Sequence, residues 1–144
     1  MLIDQISIFI ENKSGRLANV TRVLGENNIN ISALSIADTA DFGILRLIVN
    51  DPDKAYKVLN SNGFTVSRTS VIAVAVDDTP GGLTDTLKIL QDNEIGVEYM
   101  YAFVGRRGDK AMVILRVAKP ENALAILKNG GTRVLTAEEV YCGS

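Results

Sequence analysis

The sequence of 144 residues predicts an α+β protein made of two copies of one small unit. Residues 11–36 align with residues 77–102 at a constant offset of 66, and the later part of each copy aligns at an offset of 68. In both copies, stretches with strand-like alternation and stretches with helical spacing follow one another in the same order. A repeat that needs a single two-residue insertion indicates a duplication, so we expect one domain at residues 1–70 and another at residues 71–144.

Turn and core residues fall on equivalent positions of the two copies. The matched pairs include Gly15 with Gly81, Leu17 with Leu83, Asn27 with Asn93, Pro52 with Pro120, Gly63 with Gly131 and Val66 with Val134. The insertion that changes the offset lies in the loop at residues 105–109. Because glycine, proline and asparagine mark turns and helix ends, these matches predict the same fold twice.

The first copy begins with a strand, since Ile6, Ile8 and Ile10 alternate with less apolar neighbours. A helix follows the turn at residues 12–16, because the apolar residues between Leu17 and Leu24 recur at helical spacing. We expect further strands at residues 31–37, 44–49 and 64–68, and a second helix that starts at Asp51-Pro52. Proline suits the first position of a helix.

The second copy repeats this order. We expect strands at residues 71–76, 97–104, 111–117 and 132–135, and helices at residues 82–91 and 121–128. The resulting order β-α-β-β-α-β is that of ferredoxin-like domains, in which two helices cover one face of a four-stranded antiparallel sheet. The predicted fold class is therefore α+β, with two ferredoxin-like units.

Charge and strand composition argue against a nucleic-acid partner. The chain has 15 Lys and Arg against 17 Asp and Glu, a net charge of −2 and a pI of about 5.1, whereas binding through phosphate groups needs a basic face. The third strand of each copy carries no aromatic side chain on which a base could stack. The segment Gly105-Arg106-Arg107-Gly108 matches the GXXG loop of KH domains, but it joins two strands rather than two helices, so a hairpin turn is the simpler interpretation.

Residues for catalysis and metal binding are also missing. There is no His, and the single Cys is Cys142, which excludes Ser-His-Asp and Cys-His arrangements, His-ligated metals and an intramolecular disulfide. We therefore expect no enzyme activity, no catalytic residue, no metal and no cofactor. The longest apolar stretch, at residues 71–76, is too short to span a bilayer. We expect a cytoplasmic protein with no membrane partner.

A polar loop joins the first strand to the first helix in each copy, at residues 11–17 and 77–83. Unpaired N–H groups and the positive dipole end at a helix start attract a carboxylate, and Gly15 and Gly81 let a ligand approach the backbone. An alternative interpretation is purely structural. In that interpretation the loop residues only start the helices, with Ser14, Asp78 and Thr79 as N-caps and Pro80 as an early helical residue.

These loops resemble those of ACT domains, the small regulatory modules of amino-acid metabolism. The resemblance rests on Glu11-Asn12-Lys13-Ser14-Gly15-Arg16-Leu17 followed by Asn28-Ile29-Asn30-Ile31, and on Asp78-Thr79-Pro80-Gly81-Gly82-Leu83 followed by Asn93-Glu94-Ile95-Gly96-Val97. It covers nearly the whole chain, from about Leu2 to Tyr141. The family implies two domains side by side that bind a free amino acid at their interface.

Carried over residue by residue, the resemblance implies ligand contacts from both copies. In the first copy these are Asn12, Lys13, Ser14, Gly15, Arg16, Leu17, Asn30 and Ile31. In the second copy they are Asp78, Thr79, Pro80, Gly81, Gly82, Leu83, Val97 and Glu98. Asn12 and Asn30 have Asp78 and Gly96 as their equivalents, so we expect two unequal half-sites.

Ligand binding is expected to change association, because a ligand stabilises the arrangement that contacts it. The third strands carry Ile44, Ile48, Met112 and Ile114, which we expect to face outward and to favour a homodimer. A regulated protein of amino-acid metabolism is a further possible partner. The rival hypothesis is an interaction or dimerisation module that binds no ligand. The sequence does not specify which amino acid is bound.

Overall fold

The computed structural model describes residues 1–11, 13–38, 41–104 and 108–142, without the side chains of Asp38 and Cys142. The chain divides into two compact units. The first unit is Asp4–Thr69, and the second unit is Met1–Ile3 together with the chain from Ser70 onward. Each unit is described separately below.

The described residues form seven strands and five helices in an order that repeats. In the first copy these are β1 (Ile3–Glu11), α1 (Arg16–Glu26), β2 (Ile31–Asp38), β3 (Phe42–Val49), α2 (Pro52–Ser61) and β4 (Thr65–Asp77). The second copy continues with α3 (Gly82–Asp92), β5 (Val97–Ala102), β6 (Lys110–Val117), α4 (Pro120–Asn129), β7 (Arg133–Val134) and α5 (Ala137–Cys142). The prediction of an α+β protein with two copies of one element order is confirmed.

In the first unit, β3 pairs antiparallel with both β2 and β1, and β1 lies between β3 and β4 in the strand order. Alternate residues of β1 and β3 point to one face, where they pack with the buried residues of α1 and α2. This core comprises Ile6, Ile8, Ile10, Leu45, Leu47 and Val49 from the strands, and Val20, Val23, Leu24, Ala55 and Leu59 from the helices. The predicted apolar spacing therefore identifies the core.

In the second unit, β6 pairs antiparallel with both β5 and β4, and β7 pairs with β4. Its core has the same design, with alternate strand residues against one stripe of each helix. The buried members are Ile72, Val74, Val76, Val113, Leu115 and Val117 from the strands, and Leu90, Ala123 and Leu127 from the helices.

The strand β4 differs from the prediction. Two strands were expected, at residues 64–68 and 71–76, but Thr65–Asp77 is one strand of 13 residues. Thr69 and Ser70, which separate the two predicted strands, are neither glycine nor proline, so nothing in them breaks an extended backbone. The predicted domain boundary at residues 70 and 71 consequently lies inside a strand rather than in a linker.

The end of the chain also differs. The last predicted strand, 132–135, is reduced to the two residues of β7, and the helix α5 follows it unpredicted. Thr136 Oγ1 accepts from the backbone N–H of Glu139 at 3.1 Å, and Glu139 Oε1 accepts from the backbone N–H of Thr136 at 3.1 Å. This reciprocal pair is a capping box, and the sequence Thr136-Ala137-Glu138-Glu139 carries its signature.

The outward apolar face expected on the third strands is not exposed. Ile48 and Ile114 are fully buried, Met112 is 5% exposed, and Ile44 is half-buried. Leu47, Ile48 and Val49 are buried in succession, so both faces of β3 are covered there. The expected second apolar face of these strands is therefore covered at Ile48, Met112 and Ile114, while Ile44 keeps part of its surface exposed. A homodimer stays a prediction.

Candidate ligand-binding site

The turn before α1 leaves the helix start without a side-chain cap. Gly15 is the N-cap, with φ 87° in the left-handed region, and among the described residues no side chain makes a cap hydrogen bond there. The turn is closed by the backbone, since Lys13 N donates to the Glu11 carbonyl at 2.8 Å and Asn19 N donates to the Gly15 carbonyl at 3.0 Å. The first N–H groups of α1 are therefore not capped by a side chain at that position.

The turn before α3 has the same cap. Gly81 is the N-cap, with φ 84°, and again no side-chain cap hydrogen bond is formed. Gly82 N donates to the Thr79 carbonyl at 2.9 Å, and Asp78 N donates to the Asp109 carbonyl at 3.0 Å. The N-caps are thus the two glycines, which overturns the alternative that Ser14, Asp78 or Thr79 occupies this position.

The three loop glycines are required for different reasons. At Gly15 and Gly81 the positive φ disfavours other residues, while nothing lies within 4 Å of where a Cβ would stand. At Gly82 a Cβ would lie 1.9 Å from the Asp77 carbonyl oxygen. The equivalent residue of the first copy is Arg16, so the two turns follow different backbone paths at this point.

Charged groups surround the first loop. Glu11 pairs with Lys13 at 2.9 Å and lies 3.9 Å from Arg16. The hydrogen bond from Lys13 and the two positive charges lower the pKa of Glu11. Leu17, in the first turn of α1, is 38% exposed. Asn12, the polar residue on which the first half-site was based, lies outside the described residues.

The second-strand positions are held by their own units. Asn30 N donates to Asn50 Oδ1 at 2.9 Å, and Asn50 N donates back to the Asn30 carbonyl at 3.1 Å. Ile31 packs against the core of the first unit. In the second unit, Val97 packs against the core and Glu98 pairs with Arg116 at 3.6 Å.

One unit does not bring its own loop and second-strand residues together. Gly15 precedes α1 and Asn30 follows it, and α1 has 11 residues. At 1.5 Å per residue, these positions are roughly 16 Å apart. A ligand the size of an amino acid therefore cannot contact both ends of this helix at once.

A cavity lies beside the start of the first helix in each copy. In the first unit it has a volume of about 170 Å³, and its lining includes Glu11, Arg16, Phe42 and Phe64. In the second unit it has a volume of about 430 Å³, and its lining includes Asp77, Gly82, Lys110 and Arg133. Apart from Gly82, the sequence analysis missed these residues of the second unit. An alignment of the two copies could have identified them, because Lys110 aligns with Phe42 and Arg133 aligns with Thr65.

Within the part of the chain that the structure describes, there is no cluster of three or more His, Cys, Asp or Glu residues that would hold a metal ion. The helices described there are also too short or too polar to cross a membrane.

The sequence matches one known family over most of its length. The profile described as an ACT domain pair covers residues 1–139. The chain belongs to the ACT domain pair family. ACT domains are regulatory, non-catalytic modules, so this family membership supports a regulatory role and agrees with the scarcity of catalytic groups in the sequence.

Solved structures show the same architecture. The ACT pair is 45% identical to protein BT0572 from Bacteroides thetaiotaomicron, with a TM-score of 0.92, and the match covers 98% of this chain and 96% of that chain. It also resembles the regulatory subunit of aspartate kinase from Thermus thermophilus, at 16% identity and a TM-score of 0.61, over 88% of this chain and 91% of that chain. The corresponding subunit from Thermus flavus gives 15% identity and a TM-score of 0.59, over 89% and 92%. Among curated proteins there is no match.

Proposed function

We propose that this ACT pair is a non-catalytic regulatory protein that binds a free amino acid at the interface between paired ACT domains. One observation carries the proposal: both copies begin their first helix at a glycine that makes no side-chain cap hydrogen bond, with no atom within 4 Å of where its Cβ would stand. Exposed backbone N–H groups at the positive end of a helix dipole suit a carboxylate. Binding of the amino acid would then alter the association of the domains or their contacts with a partner.

The proposed contacts come from two domains, because the loop and second-strand groups of one unit stand at opposite ends of a helix. The loop residues are Asn12, Lys13, Ser14, Gly15, Arg16 and Leu17 in the first copy, and Asp78, Thr79, Pro80, Gly81, Gly82 and Leu83 in the second. The second-strand residues are Asn30, Ile31, Val97 and Glu98. The proposal takes residues 1–70 and 71–144 as the two domains, each with a four-stranded sheet and both helices on one face.

The two half-sites are proposed to be unequal. The first copy has an asparagine at both the loop position, Asn12, and the second-strand position, Asn30, whereas the second copy has Asp78 and Gly96 there. A carboxylate at position 78 suits an α-ammonium group, to which a hydrogen bond contributes about 1.5 to 3 kcal/mol. One half-site is therefore expected to bind more tightly than the other.

The proposal includes a cytoplasmic setting, a homodimer and a regulated protein in trans. It is consistent with the names of the fold neighbours, which are described as regulatory subunits of aspartate kinase. Neither the amino acid nor the regulated protein is assigned.

Thermal-shift measurements with each standard L-amino acid test the proposal. A saturable rise in melting temperature is expected for one or a few ligands, since ligand that binds only the folded chain stabilises it. Asn12→Ala and Asp78→Ala should weaken this response to different extents. Asn60→Ala and Asp92→Ala, which remove the same groups from exposed helix positions outside the loops, serve as matched controls. A flat response to every amino acid at about 10 mM, a concentration that would saturate a site with a Kd of about 1 mM, contradicts the proposal.

The second candidate function is a ligand-free interaction or dimerisation module. It is favoured by Leu34 and Ile36, which are 41% and 42% exposed on β2, the end strand in the first unit's order. Exposed apolar residues on an edge strand favour pairing with another chain. Sedimentation of the chain without ligand, compared with the variant Leu34→Ser with Ile36→Ser, distinguishes the candidates. A dimer that this variant abolishes, together with a flat amino-acid response, supports the module.

A further inference from the structure

The cavity of the second unit, here named the α3 pocket, has the size of a small-molecule site. It lies beside the start of α3, and its polar lining includes Asp77, Asp85, Lys110 and Arg133. Its volume of about 430 Å³ falls within the range of about 300 to 1,000 Å³ that is typical of ligand pockets. All of its lining residues belong to the second unit, and of the loop residues proposed for the site between paired domains it includes Gly82 alone.

The equivalent cavity of the first unit has aromatic side chains in its lining. Phe42 stands opposite Glu11 in the β1 and β3 register, and Lys110 stands opposite Asp77 in the β4 and β6 register. Phe64 aligns with Thr132. The first-unit cavity has a volume of about 170 Å³, below the usual size of a ligand pocket. The α3 pocket is therefore the larger of the two, and Lys110 and Thr132 stand in it where the first copy has phenylalanines.

The charges of the α3 pocket are of both signs. The ammonium group of Lys110 is paired with Asp77, and Arg133 is paired with Glu139 at 2.5 Å. Asp85 lies in the first turn of α3, exposed, with no ion pair among the described residues. An arginine guanidinium has five N–H donors, so its pair with Glu139 leaves donors for a second anion. The lining thus offers an acceptor at Asp85 and donors at Arg133.

We propose that the α3 pocket binds a small molecule that carries both an ammonium group and a carboxylate, within the second unit alone. The ammonium group is held by the Asp85 carboxylate, and the ligand carboxylate is held by the Arg133 guanidinium, as charge-assisted hydrogen bonds favour. The two acidic and two basic residues of the lining sum to zero charge, so a zwitterion enters without a net electrostatic penalty. This site adjoins the one proposed between paired domains at Gly82, and it needs no residue of the first unit.

Two consecutive glycines shape the wall of the pocket that faces α3. A Cβ on Gly130 would stand 2.9 Å from Ile89 Cδ1, so the side chain of Ile89 already fills that place. Gly131 adopts φ 87°, and no atom lies within 4 Å of where its Cβ would stand. A ligand can therefore lie against the backbone at Gly131, because no Cβ intervenes.

NMR titration of the labelled full chain with each standard L-amino acid tests this site. Saturable shifts are expected in the amide signals of Thr86, Gly131 and Arg133. They are read separately from the loop signals, which are those of Gly15, Leu17, Gly81 and Leu83. The amide and the N-acetyl derivative of the best ligand, which keep one charge each, should bind about tenfold more weakly or worse, since each lacks one charge-assisted hydrogen bond.

Two variants and a control complete the experiment. Asp85→Asn should raise the Kd about tenfold, and Thr132→Phe, which installs the first copy's residue, should abolish the shifts. Asp92→Asn removes a carboxylate from the far end of the same helix and should leave the Kd unchanged. Shifts confined to the loop signals of Gly15, Leu17, Gly81 and Leu83, or no shift at about 10 mM ligand, overturn the α3 pocket as a site. Shifts confined to the pocket, conversely, support it while contradicting the site between paired domains.

Discussion

At the scale of single residues, Gly82 determines the path of the turn before α3. A Cβ at this position would lie 1.9 Å from the Asp77 carbonyl oxygen, so Gly82→Ala forces the backbone to move. We expect Gly82→Ala to lower the free energy of unfolding by about 1–3 kcal/mol, the usual effect of overpacking. Urea denaturation with linear extrapolation measures the change.

Gly25 provides the matched control. It lies inside α1 with no atom within 4 Å of a Cβ and an ordinary helical backbone. Gly25→Ala should stabilise the protein by about 0.5–1 kcal/mol, because alanine has the higher helix propensity. Equal effects of the two substitutions would contradict the steric role of Gly82.

The sequence identifies the loop glycines but not what each one does. A glycine before a helix is compatible with a close ligand approach, a positive φ or a close backbone contact. Gly15 and Gly81 have the positive φ and open space, whereas Gly82 has the close contact. These outcomes depend on the carbonyl and backbone positions of the folded turn, which residue spacing does not encode.

At the scale of elements, the capping box of α5 makes the stability of this short helix depend on pH. The N–H of Thr136 and the guanidinium of Arg133 lower the pKa of Glu139. A group whose pKa is lowered by folding contributes stability above its unfolded pKa and loses it as the pH falls through the folded value. The Glu139 contribution should therefore be present at neutral pH and disappear in acid.

Chemical denaturation of Glu139→Gln and of the parent chain, from neutral pH into the acid range, checks this direction. The difference in stability between them should shrink as the pH falls. Thr136→Ala, which removes the N-cap hydroxyl, should cost about 1 kcal/mol at neutral pH. A difference between Glu139→Gln and parent that grows in acid would contradict the assigned sign.

Helices were predicted better than strand ends. The helix expected at residues 82–91 is Gly82–Asp92, because amphipathic spacing over three turns is a strong signal. The sequence analysis divided β4 into two strands, because Thr69 and Ser70 are compatible with either a strand or a connection between strands. The helix α5 was missed although its capping signature was present, because six residues give little periodicity.

At the scale of the whole molecule, surface ion pairs contribute little to stability. Arg68 pairs with two carboxylates, Asp4 at 2.6 Å and Asp53 at 2.7 Å, yet its side chain is 35% exposed. Exposed pairs are screened by salt and contribute about 0–1 kcal/mol each. Raising NaCl from about 0.05 to 0.5 M should change the free energy of unfolding by less than about 1 kcal/mol. A large loss in high salt would mean that charge pairing, rather than the apolar cores, holds the units together internally.

The duplication made the fold predictable, while the sites remained largely hidden. The same spacing of apolar and turn residues occurs in both copies, so each copy supports the assignment of elements in the other. The element order and the core residues therefore followed from the sequence. The α3 pocket arises where the copies differ, at Lys110 and Thr132, and its volume depends on side chains distant in sequence. Patterns shared by the two copies cannot reveal a feature that only one of them has.

The continuous strand β4 has a practical consequence for dissecting the protein. A fragment of residues 1–70 would include Met1–Ile3, although these residues belong to the second unit. Leu2 packs against the core of that unit. The complementary fragment would start in mid-strand and lack that apolar residue. Halves expressed separately are thus poor surrogates for the parent, and site-by-site assignment is better made by substitution in the intact polypeptide.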